Sequence, residues 1–480
     1  MYDRSSRQIS PLEVRKNLEE NFGFAPTPSQ ENLMYALSRF LLSEKPNCLL
    51  MVKGYAGTGK TSMVNAVVKT LPFIKQKSVL LAPTGRAAKV IGSYSNRLAS
   101  TIHRKIYFKQ RTATGGVFFV PGRNLHTDTV FIVDEASMIG WENFSTSGGG
   151  NLLSDLFEFV YSGKNCRMIV IGDGAQLPPV GSPLSPALNL EFLQREFTIT
   201  AAMCELTHVM RQADDSGILS FATELRRHVV DGESVPELPV ALPDKADVLN
   251  ISGDELQDVL ESNFGTYGDE GAVIICRSNK RCNLFNQEIR ARVFFREELV
   301  NAGDYLMAVK NNYHWMGEES KAGFIANGDI FEVMRIGKTV ERYGFNFLHV
   351  TGRFVDYPDE PETELVIWTD SLSIEAAAMP DSSRDKLYRS VKKDCEHLPT
   401  REERKKALTT DPYYNAVQVK YAYAITCHKA QGGQWPVVIV DQGYLTEEMV
   451  DHEYFRWLYT AVTRATTQLY LLNFSSHLVT

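Results

Sequence analysis

The chain has 480 residues, of which 44% are hydrophobic, and its formal net charge is −7. This length and hydrophobic content suffice for several packed cores, so a disordered or fibrous protein is excluded. The N-terminal segment is charged and no run of about 18 apolar residues follows it, so we expect no secretion, no membrane partner and a cytoplasmic location.

The seven cysteines are scattered through the chain, and no two of them form a CxxC pair. The sequence therefore suggests neither a zinc site nor a disulfide framework, and it favours a reducing compartment.

The chain opens with a charged lead-in over residues 1–24. Pro26 to Gln30 then restarts the chain, and Ser29 can cap the helix that follows. Gln30 lies about one helix before the next buried strand. Its amide offers a donor and acceptors, which suits the edge of adenine. A glutamine by itself does not indicate a nucleotide site. The argument for Gln30 comes from its position about one helix before the phosphate loop.

The apolar run that starts at Cys48 leads into a phosphate-binding loop. Residues 54–61, GYAGTGKT, have the pattern GxxxxGK[ST]. Glycines let successive backbone N–H groups point at phosphate oxygens, and the following helix N-terminus adds positive potential. We expect Lys60 to reach the β- and γ-phosphates of ATP and Thr61 to bind Mg²⁺. The residues predicted here to bind the nucleotide are Gln30, Gly54, Ala56, Gly57, Thr58, Gly59, Lys60, Thr61 and Ser62.

A long basic block surrounds this loop. Between Glu44 and Asp128 there is no acidic residue, whereas there are 14 lysines and arginines. A solvated basic face is the simpler interpretation of a charge run. A block of this length nevertheless favours a surface that faces a polyanion.

The next strand, Val79 to Ala82, ends in a turn from Pro83 to Ala88. Such a turn can present threonine hydroxyl and backbone N–H groups to a phosphate. Thr101 and His103 follow, and a histidine such as His103, taken alone, is more often a structural residue than a ligand.

The segment from Lys105 to Phe119 has two aromatic runs around a Gly-Gly turn, which predicts a β-hairpin. Its aromatics either stack on bases or pack against the parent domain.

Two further buried strands end in polar side chains. The run from Thr129 to Val133 leads into Asp134 and Glu135, of which the first suits Mg²⁺ and the second an attacking water. The other strand leads into the segment around Gln176, whose amide can sense a γ-phosphate. The sequence thus predicts a nucleotide-hydrolysing site at the strand ends.

These motifs resemble those of superfamily 1 helicases in order and spacing. The forms APTGRAA, DEAS and GDxxQLPPV are similar to the RecD/Dda branch, and the resemblance covers about residues 25–480. The segments that carry it are Gly54–Thr61, Ala82–Ala88, Asp134–Ser137 and Gly172–Val180.

The resemblance also implies roles for residues further along the chain. Arg211, in LTHVMRQ, matches a family arginine that reaches the γ-phosphate, and Arg464, in YTAVTRA, matches a second arginine finger. The segment TCHKAQG is similar to the family motif T-x-H-K-x-Q-G, which couples the nucleotide cleft to bound DNA. The resemblance implies that its last residue, Gly432, contacts the nucleotide, as do Arg211 and Arg464. An extra glycine follows it at Gly433.

The implied fold is α/β, with two RecA-like P-loop motor domains built on parallel sheets. The first would span 25–200, with a hairpin insertion at about 104–126, and the second would span 201–302 and 415–480. Residues 303–414 would form an SH3-like β-barrel insertion, which short strands around an Asn-Gly-Asp turn also favour. The charged stretch 381–406 predicts a solvated helical segment.

The resemblance implies an ATP-dependent DNA helicase that moves 5′→3′, a functional monomer with ATP and Mg²⁺ as cofactors. Its partners would be single-stranded DNA, tailed duplex DNA and proteins of replication or repair. Two alternatives stay open at this point: an ATP-switched nucleic-acid-binding subunit that needs a partner to unwind, and a P-loop phosphotransferase. The residues expected to contact DNA are Pro83, Thr84, Arg86, Thr101, His103, Phe118, Asn279, Thr426 and His428.

Overall fold

The structure is a computed structural model that describes residues 9–111, 117–141, 151–209, 216–230, 239–316, 320 and 323–479. These residues fall into two compact units. The first draws on the ranges Met1–Pro83, Ala87–Tyr107 and Pro121–Leu219, and the second on Thr84–Arg86, Phe108–Val120 and Ser220–Thr480. Within the described ranges, no helix has the length and hydrophobicity needed to cross a membrane.

The strands, in chain order, are β1 (Cys48–Gly54), β2 (Lys77–Ala82), β3 (Ala99–Thr101), β4 (Tyr107–Arg111), β5 (Val117–Pro121), β6 (Thr129–Val133), β7 (Arg167–Gly172), β8 (Thr200–Leu206), β9 (Val248–Ile251), β10 (Ala272–Cys276), β11 (Tyr305–Ala308), β12 (Ile330–Arg342), β13 (Phe345–Phe354), β14 (Thr363–Trp368), β15 (Val417–Tyr421), β16 (Ala424–Thr426), β17 (Trp435–Asp441) and β18 (Ala465–Leu472). The helices are α1 (Pro11–Phe22), α2 (Pro28–Leu41), α3 (Lys60–Thr70), α4 (Gly85–Ser95), α5 (Ile102–Ile106), α6 (Leu152–Ser162), α7 (Leu190–Glu196), α8 (Gly217–Val230), α9 (Leu256–Tyr267), α10 (Asn279–Glu288), α11 (Asp370–Ser373), α12 (Asp381–Asp394), α13 (Arg401–Thr410), α14 (Cys427–Ala430) and α15 (His452–Val462).

The first unit is built on a six-stranded sheet in the order β3-β2-β6-β7-β1-β8, in which every neighbouring pair is parallel. Strands β6 and β7 are buried along their whole length, which explains their uninterrupted apolar sequences. Because all strands run in one direction, their carboxyl ends meet at one edge. That edge carries the phosphate loop after β1 and the polar residues after β2, β6 and β7.

The N-terminal segment contributes a helix to the core of this unit. Ser10 and Glu13 form a capping box at the start of α1, and Val14, Leu18 and Phe22 are buried in the same cluster as β1. Burying each such side chain stabilises the fold by about 1.5–3 kcal/mol. Helix α1 is therefore packed, although its sequence is strongly charged.

The second unit contains a five-stranded parallel sheet in the order β16-β10-β17-β18-β9. Its central strands β10 and β17 are apolar and buried, as a sheet covered on both faces requires. The predicted pair of parallel sheets is confirmed. The domain limits stay predictions.

The predicted β-barrel is also confirmed. Strands β11 to β15 close into a five-stranded barrel, which lies in sequence between β10 and β16. The predicted Asn-Gly-Asp turn precedes β12, and Gly328 there has a φ of +100°, which favours glycine. Helices α12 and α13 cover most of the charged stretch, and α13 buries none of its side chains.

A buried cluster of charges joins the start of the barrel to the chain that leaves it. The carboxylate of Asp304 accepts two bonds from the Arg290 guanidinium, both of 3.0 Å, and one of 2.7 Å from Arg296. The Tyr423 hydroxyl donates to the same carboxylate over 3.1 Å, and Tyr421 accepts a bond from Arg290 over 3.2 Å. Asp304 is fully buried, so this one carboxylate neutralises part of the charge of two arginines in a dry environment.

The predicted hairpin is present as the two-stranded sheet of β4 and β5. Its Gly-Gly turn lies outside the described residues. All seven cysteines are free, and all except Cys204 are buried.

Candidate nucleotide site and nucleic-acid contacts

The phosphate loop connects β1 to α3. Gly57 and Gly59 have φ values of 73° and 83°, in the left-handed region that only glycine adopts without strain. The Lys60 ammonium donates to the carbonyl oxygens of Gly54, over 2.7 Å, and Tyr55, over 2.9 Å. Lys60 is thus held inside its own loop by two carbonyl dipoles. Neighbouring Thr61 and Ser62 are half-buried at the start of α3.

Gly54 has a packing role in addition to its place in the motif. A Cβ at this position would lie 3.0 Å from the Lys60 Cγ, 3.0 Å from the Thr58 hydroxyl and 3.1 Å from the Leu206 Cβ. These separations are shorter than ordinary van der Waals contacts. A larger residue here would therefore require the Lys60 stem, the Thr58 hydroxyl or Leu206 to shift by a few tenths of an ångström.

Gln30 supports the loop from α2. Its amide nitrogen donates to the Thr58 carbonyl over 3.0 Å, and its amide oxygen accepts from the Thr27 backbone N–H over 2.9 Å. The side chain is fully buried. In this structure Gln30 links the start of α2 to the phosphate loop, and its predicted contact with adenine stays a prediction.

Asp134 and Glu135 follow β6. Burial and the adjacent Glu135 carboxylate raise the pKa of Asp134 to about 6, while the Glu135 backbone N–H and the Lys60 charge oppose that rise. The backbone bond, from the Glu135 N–H to Asp134 Oδ1, measures 2.9 Å. Glu135 has a φ of 51°, a left-handed conformation that costs energy for a residue with a Cβ. The sheet therefore holds two carboxylates side by side at an energetic cost.

The residues around Asp134 fit a magnesium ion that is bound together with phosphates. Among the described residues, no three or more His, Cys, Asp or Glu side chains are grouped so as to hold a metal by themselves. Mg²⁺ in nucleotide sites usually takes only one or two carboxylates, with phosphate oxygens and waters as its other ligands. The half-buried Asp134 carboxylate, whose raised pKa is opposed by the positive charge of Lys60, is a suitable protein ligand for such an ion.

Gln176 lies after β7 in a tight turn. Its backbone N–H donates to the Asp173 carbonyl over 3.4 Å, and Asp173 accepts from the Ala175 N–H over 2.9 Å. Both side chains are buried. A residue without a predicted role also appears at this edge: the Ser137 hydroxyl is buried and meets no hydrogen-bond partner in the described parts of the chain. The sequence signal that could have identified Ser137 is its position as the last residue of the DEAS motif.

The turn after β2 holds the predicted residues Pro83, Thr84 and Arg86. Thr84 and Arg86 belong to the second unit, where the Arg86 guanidinium lies 3.8 Å from the centre of the Trp435 ring. Arg86 also donates to the Gln434 carbonyl over 3.4 Å. The contact of Arg86 with DNA stays a prediction. In this structure the Arg86 guanidinium is stacked on the Trp435 ring.

Thr101 and His103 lie at the start of α5. The Thr101 hydroxyl accepts from the Arg104 N–H over 3.3 Å and so caps the helix. Burial lowers the pKa of His103 to about 4, which keeps it neutral at pH 7. The Tyr107 hydroxyl donates to Asp155 over 2.6 Å, whereas Phe108 is exposed, so the two aromatics at the start of the hairpin differ in role.

The second unit carries the remaining predicted DNA contacts. Asn279 begins α10, separated by two residues from the end of β10 at Cys276, and Thr426 ends β16. His428 is exposed on α14, and burial of part of its ring lowers its pKa. The neighbouring Lys429 donates to Asn327 in the barrel turn.

Arg464 follows α15 and is 4% exposed. Its guanidinium donates to the Thr460 carbonyl over 3.0 Å, to the Gly433 carbonyl over 3.4 Å and to the Thr463 hydroxyl over 3.1 Å. Gly432 has a φ of 73°, which suits glycine at the turn after α14. The side chain of Phe118 and the whole of Arg211 lie outside the described residues.

A parallel sheet with a phosphate loop after β1 and paired carboxylates after β6 defines a P-loop nucleotide-binding protein. Comparison with known families gives two matches: an AAA domain over residues 29–235 and a UvrD-like helicase C-terminal domain over residues 421–472. Both matches lie within the part of the chain, about residues 25–480, that resembles superfamily 1 helicases.

Two curated relatives are named as helicases. The ATP-dependent DNA helicase dda of Enterobacteria phage T4 is 30% identical over 221 residues, which cover 44% of this chain and 46% of the relative. The ATP-dependent RecD2 DNA helicase of Deinococcus radiodurans is 33% identical over 178 residues, which cover 36% of this chain and 21% of the relative. The matched stretches thus span less than half the length of both relatives.

Solved structures of Pif1 helicases align along most of the chain. A Bacteroides Pif1 helicase in complex with ADP-AlF3 and single-stranded DNA aligns with a TM-score of 0.45 and 14% identity, and the alignment covers 95% of both chains. A Pif1 helicase from Candida albicans aligns with a TM-score of 0.43 and 15% identity, covering 95% of this chain and 96% of the other.

Proposed function

We propose that this protein is an ATP-dependent DNA helicase or translocase that moves 5′→3′ on single-stranded DNA and unwinds duplexes. The observation that carries the proposal is the edge of the first sheet. There Lys60 is held by loop carbonyls, and its charge acts on the half-buried carboxylate of Asp134, next to Glu135. The two related helicases support the same function, and the 5′→3′ direction is inferred from the family resemblance.

The chain's own residues divide the work of hydrolysis. Lys60 would exchange its two carbonyl partners for phosphate oxygens, and Thr61 and Asp134 would hold Mg²⁺. When bound, that ion would neutralise part of the negative charge of the phosphates. Glu135 would orient the attacking water, and Gln176 would sense the γ-phosphate.

Two arginines, Arg211 and Arg464, would complete the site. Arg464 now donates to carbonyl and hydroxyl oxygens, and as an arginine finger it would turn these donors to the γ-phosphate, beside Arg211. An arginine finger contributes on the order of 10³-fold or more to the rate. Because the γ-phosphate is lost on hydrolysis, each cycle would release this grip and couple chemistry to movement.

DNA would be held mainly through its phosphates, which makes binding independent of sequence. The residues proposed for this grip are Pro83, Thr84, Arg86, Thr101, His103, Phe118, Asn279, Thr426 and His428. We further propose that the protein acts inside the cell as a monomer, on single-stranded and tailed duplex DNA, with partners in replication or repair.

Strand displacement on matched duplexes with a 5′ or a 3′ single-stranded tail tests the proposal. We expect ATP-dependent unwinding of the 5′-tailed duplex alone, and none by Lys60→Ala, which should still bind single-stranded DNA. Unwinding confined to the 3′-tailed duplex would refute the direction. If neither duplex opens although single strands stimulate hydrolysis, the protein is a translocase that does not unwind by itself, or a subunit that needs a partner to unwind.

A further inference from the structure

A cationic and aromatic cluster lies at the end of β10 in the second unit. The exposed guanidinium of Arg277 lies 5.5 Å from the ring centre of Tyr454 and 5.8 Å from that of Trp457. The two rings, on the first turns of α15, are stacked with their centres 5.8 Å apart and their planes at 28°. Cation–π attraction to two rings holds the arginine in one orientation while leaving it open to solvent.

The two aromatic residues also carry buried polar atoms with no partner. Tyr454 is 3% exposed and Trp457 is 6% exposed. The Tyr454 hydroxyl and the Trp457 indole N–H meet no hydrogen-bond partner in the described parts of the chain. Leaving a buried donor unpaired costs about 1–3 kcal/mol, so two such donors on neighbouring stacked rings suggest an acceptor that arrives from outside.

The chemistry of the cluster identifies that acceptor. Arg277 and Trp457 can only donate hydrogen bonds, and Tyr454 can donate one. Two carboxylates at the start of the same helix do not cancel this excess of donors. Asp451 is the helix cap and accepts from the Tyr454 backbone N–H over 2.8 Å. Glu453 is exposed, and its charge acts on His428. A site with a fixed guanidinium and neutral donors fits an oxyanion.

We propose that Arg277, Tyr454 and Trp457 form a phosphate-binding site that belongs to the working cycle of this protein. The inference rests on the proposed function, which brings two sources of phosphate to the second motor domain: the backbone of bound DNA and the ATP itself. The chemistry of recognition is the same for both, because each presents negatively charged phosphoryl oxygens to a guanidinium.

Three variants of the full-length chain test the site. Arg277→Gln removes the charge, and Tyr454→Phe removes one hydroxyl while keeping the ring. The matched control is Lys280→Gln, three residues from Arg277, since Lys280 is an exposed positive charge paired loosely with Glu375 over 3.6 Å. The measurements are the Kd for labelled oligothymidylate at several salt concentrations, the KM for ATP at saturating oligothymidylate, and the melting temperature.

If the phosphate belongs to DNA, Arg277→Gln should raise the Kd about tenfold or more. It should also reduce the slope of log Kd against log salt by about 0.7. If the phosphate belongs to the nucleotide, the KM for ATP should rise by a similar factor while the Kd for DNA is unchanged. Tyr454→Phe should raise the same constant, the Kd for DNA or the KM for ATP, about threefold. It should not lower the melting temperature, because the hydroxyl that it removes lacks a partner in the free protein.

Unchanged Kd and KM in Arg277→Gln would overturn the site, and so would an equal effect of Lys280→Gln. A lower melting temperature in Tyr454→Phe, without a change in affinity, would show a structural role instead. These outcomes leave the proposed function intact. Wild-type protein that binds neither oligothymidylate nor ATP would overturn both proposals.

Discussion

The Asp134→Asn variant should make the free protein more stable while abolishing its ATP hydrolysis. Asp134 has a pKa of about 6 in the fold, against an ordinary value of 3.8. The difference of about two pKa units corresponds to about 3 kcal/mol of unfavourable free energy for the charged form. Asparagine carries no charge to bury. Its side-chain oxygen can still accept the bond from the Glu135 backbone N–H.

The sign of the pH dependence follows from proton binding. Between about pH 4 and pH 6 the folded state holds a proton at Asp134 that the unfolded chain has released, so stability falls as the pH rises through this window. Above about pH 6 the full cost of about 3 kcal/mol is present. Asp134→Asn should therefore gain most at pH 7.5 and little at pH 4.5.

Thermal unfolding without nucleotide or Mg²⁺, at both pH values, measures this gain. One kcal/mol corresponds to about 2–4 °C for a domain of 150–250 residues, so the melting temperature of the first unit should rise by several degrees at pH 7.5. Glu158→Gln is the control, because Glu158 is an exposed carboxylate on α6. If Asp134→Asn melts at or below the wild-type temperature at pH 7.5, or if its gain is the same at both pH values, the electrostatic argument is refuted.

Three other changes follow from the same geometry. Glu135→Gln should lower hydrolysis by about 10²–10⁴-fold and leave ATP binding intact, and filter binding with single-turnover kinetics would show whether both are lost together. Gln30→Ala removes the bond to the phosphate loop, so it should cost about 1–3 kcal/mol in thermal stability of the first unit and raise the KM for ATP. Asp304→Asn leaves the buried Arg290 without its counter-charge and should destabilise the second unit by about 3–5 kcal/mol in urea unfolding. The control Asp381→Asn, at an exposed ion pair, should cost less than about 1 kcal/mol. A similar loss of stability in both variants would contradict the role of burial.

The main elements of the fold and the position of the site could be predicted from the sequence because their signals are local. Strands buried on both faces require uninterrupted apolar runs, and the phosphate loop requires glycines at fixed offsets before Lys60. Asp134 and Glu135 follow their strand directly, so a parallel sheet brings them to the same edge as the loop. The barrel was predictable from an Asn-Gly-Asp turn and short alternating strands.

Other features depend on contacts between distant parts of the chain. The bond from Gln30 to the Thr58 carbonyl joins residues 28 positions apart, and no pattern in either segment specifies it. The raised pKa of Asp134 arises from burial, and the left-handed backbone of Glu135 runs against its own propensity. The cluster of Arg277 with Tyr454 and Trp457 spans about 180 residues and has no local sequence signature.

The charge cluster at Asp304 has a mechanical consequence. Only two residues separate β15 of the barrel from β16 of the second sheet, and the tyrosines on both sides of Ala422 bond to the cluster. Bending this junction would break the bond from Tyr423 to the Asp304 carboxylate or the bond from Arg290 to Tyr421, so we expect it to be rigid and not to act as a hinge. The barrel and the strand that ends at Thr426 should therefore move together as one body.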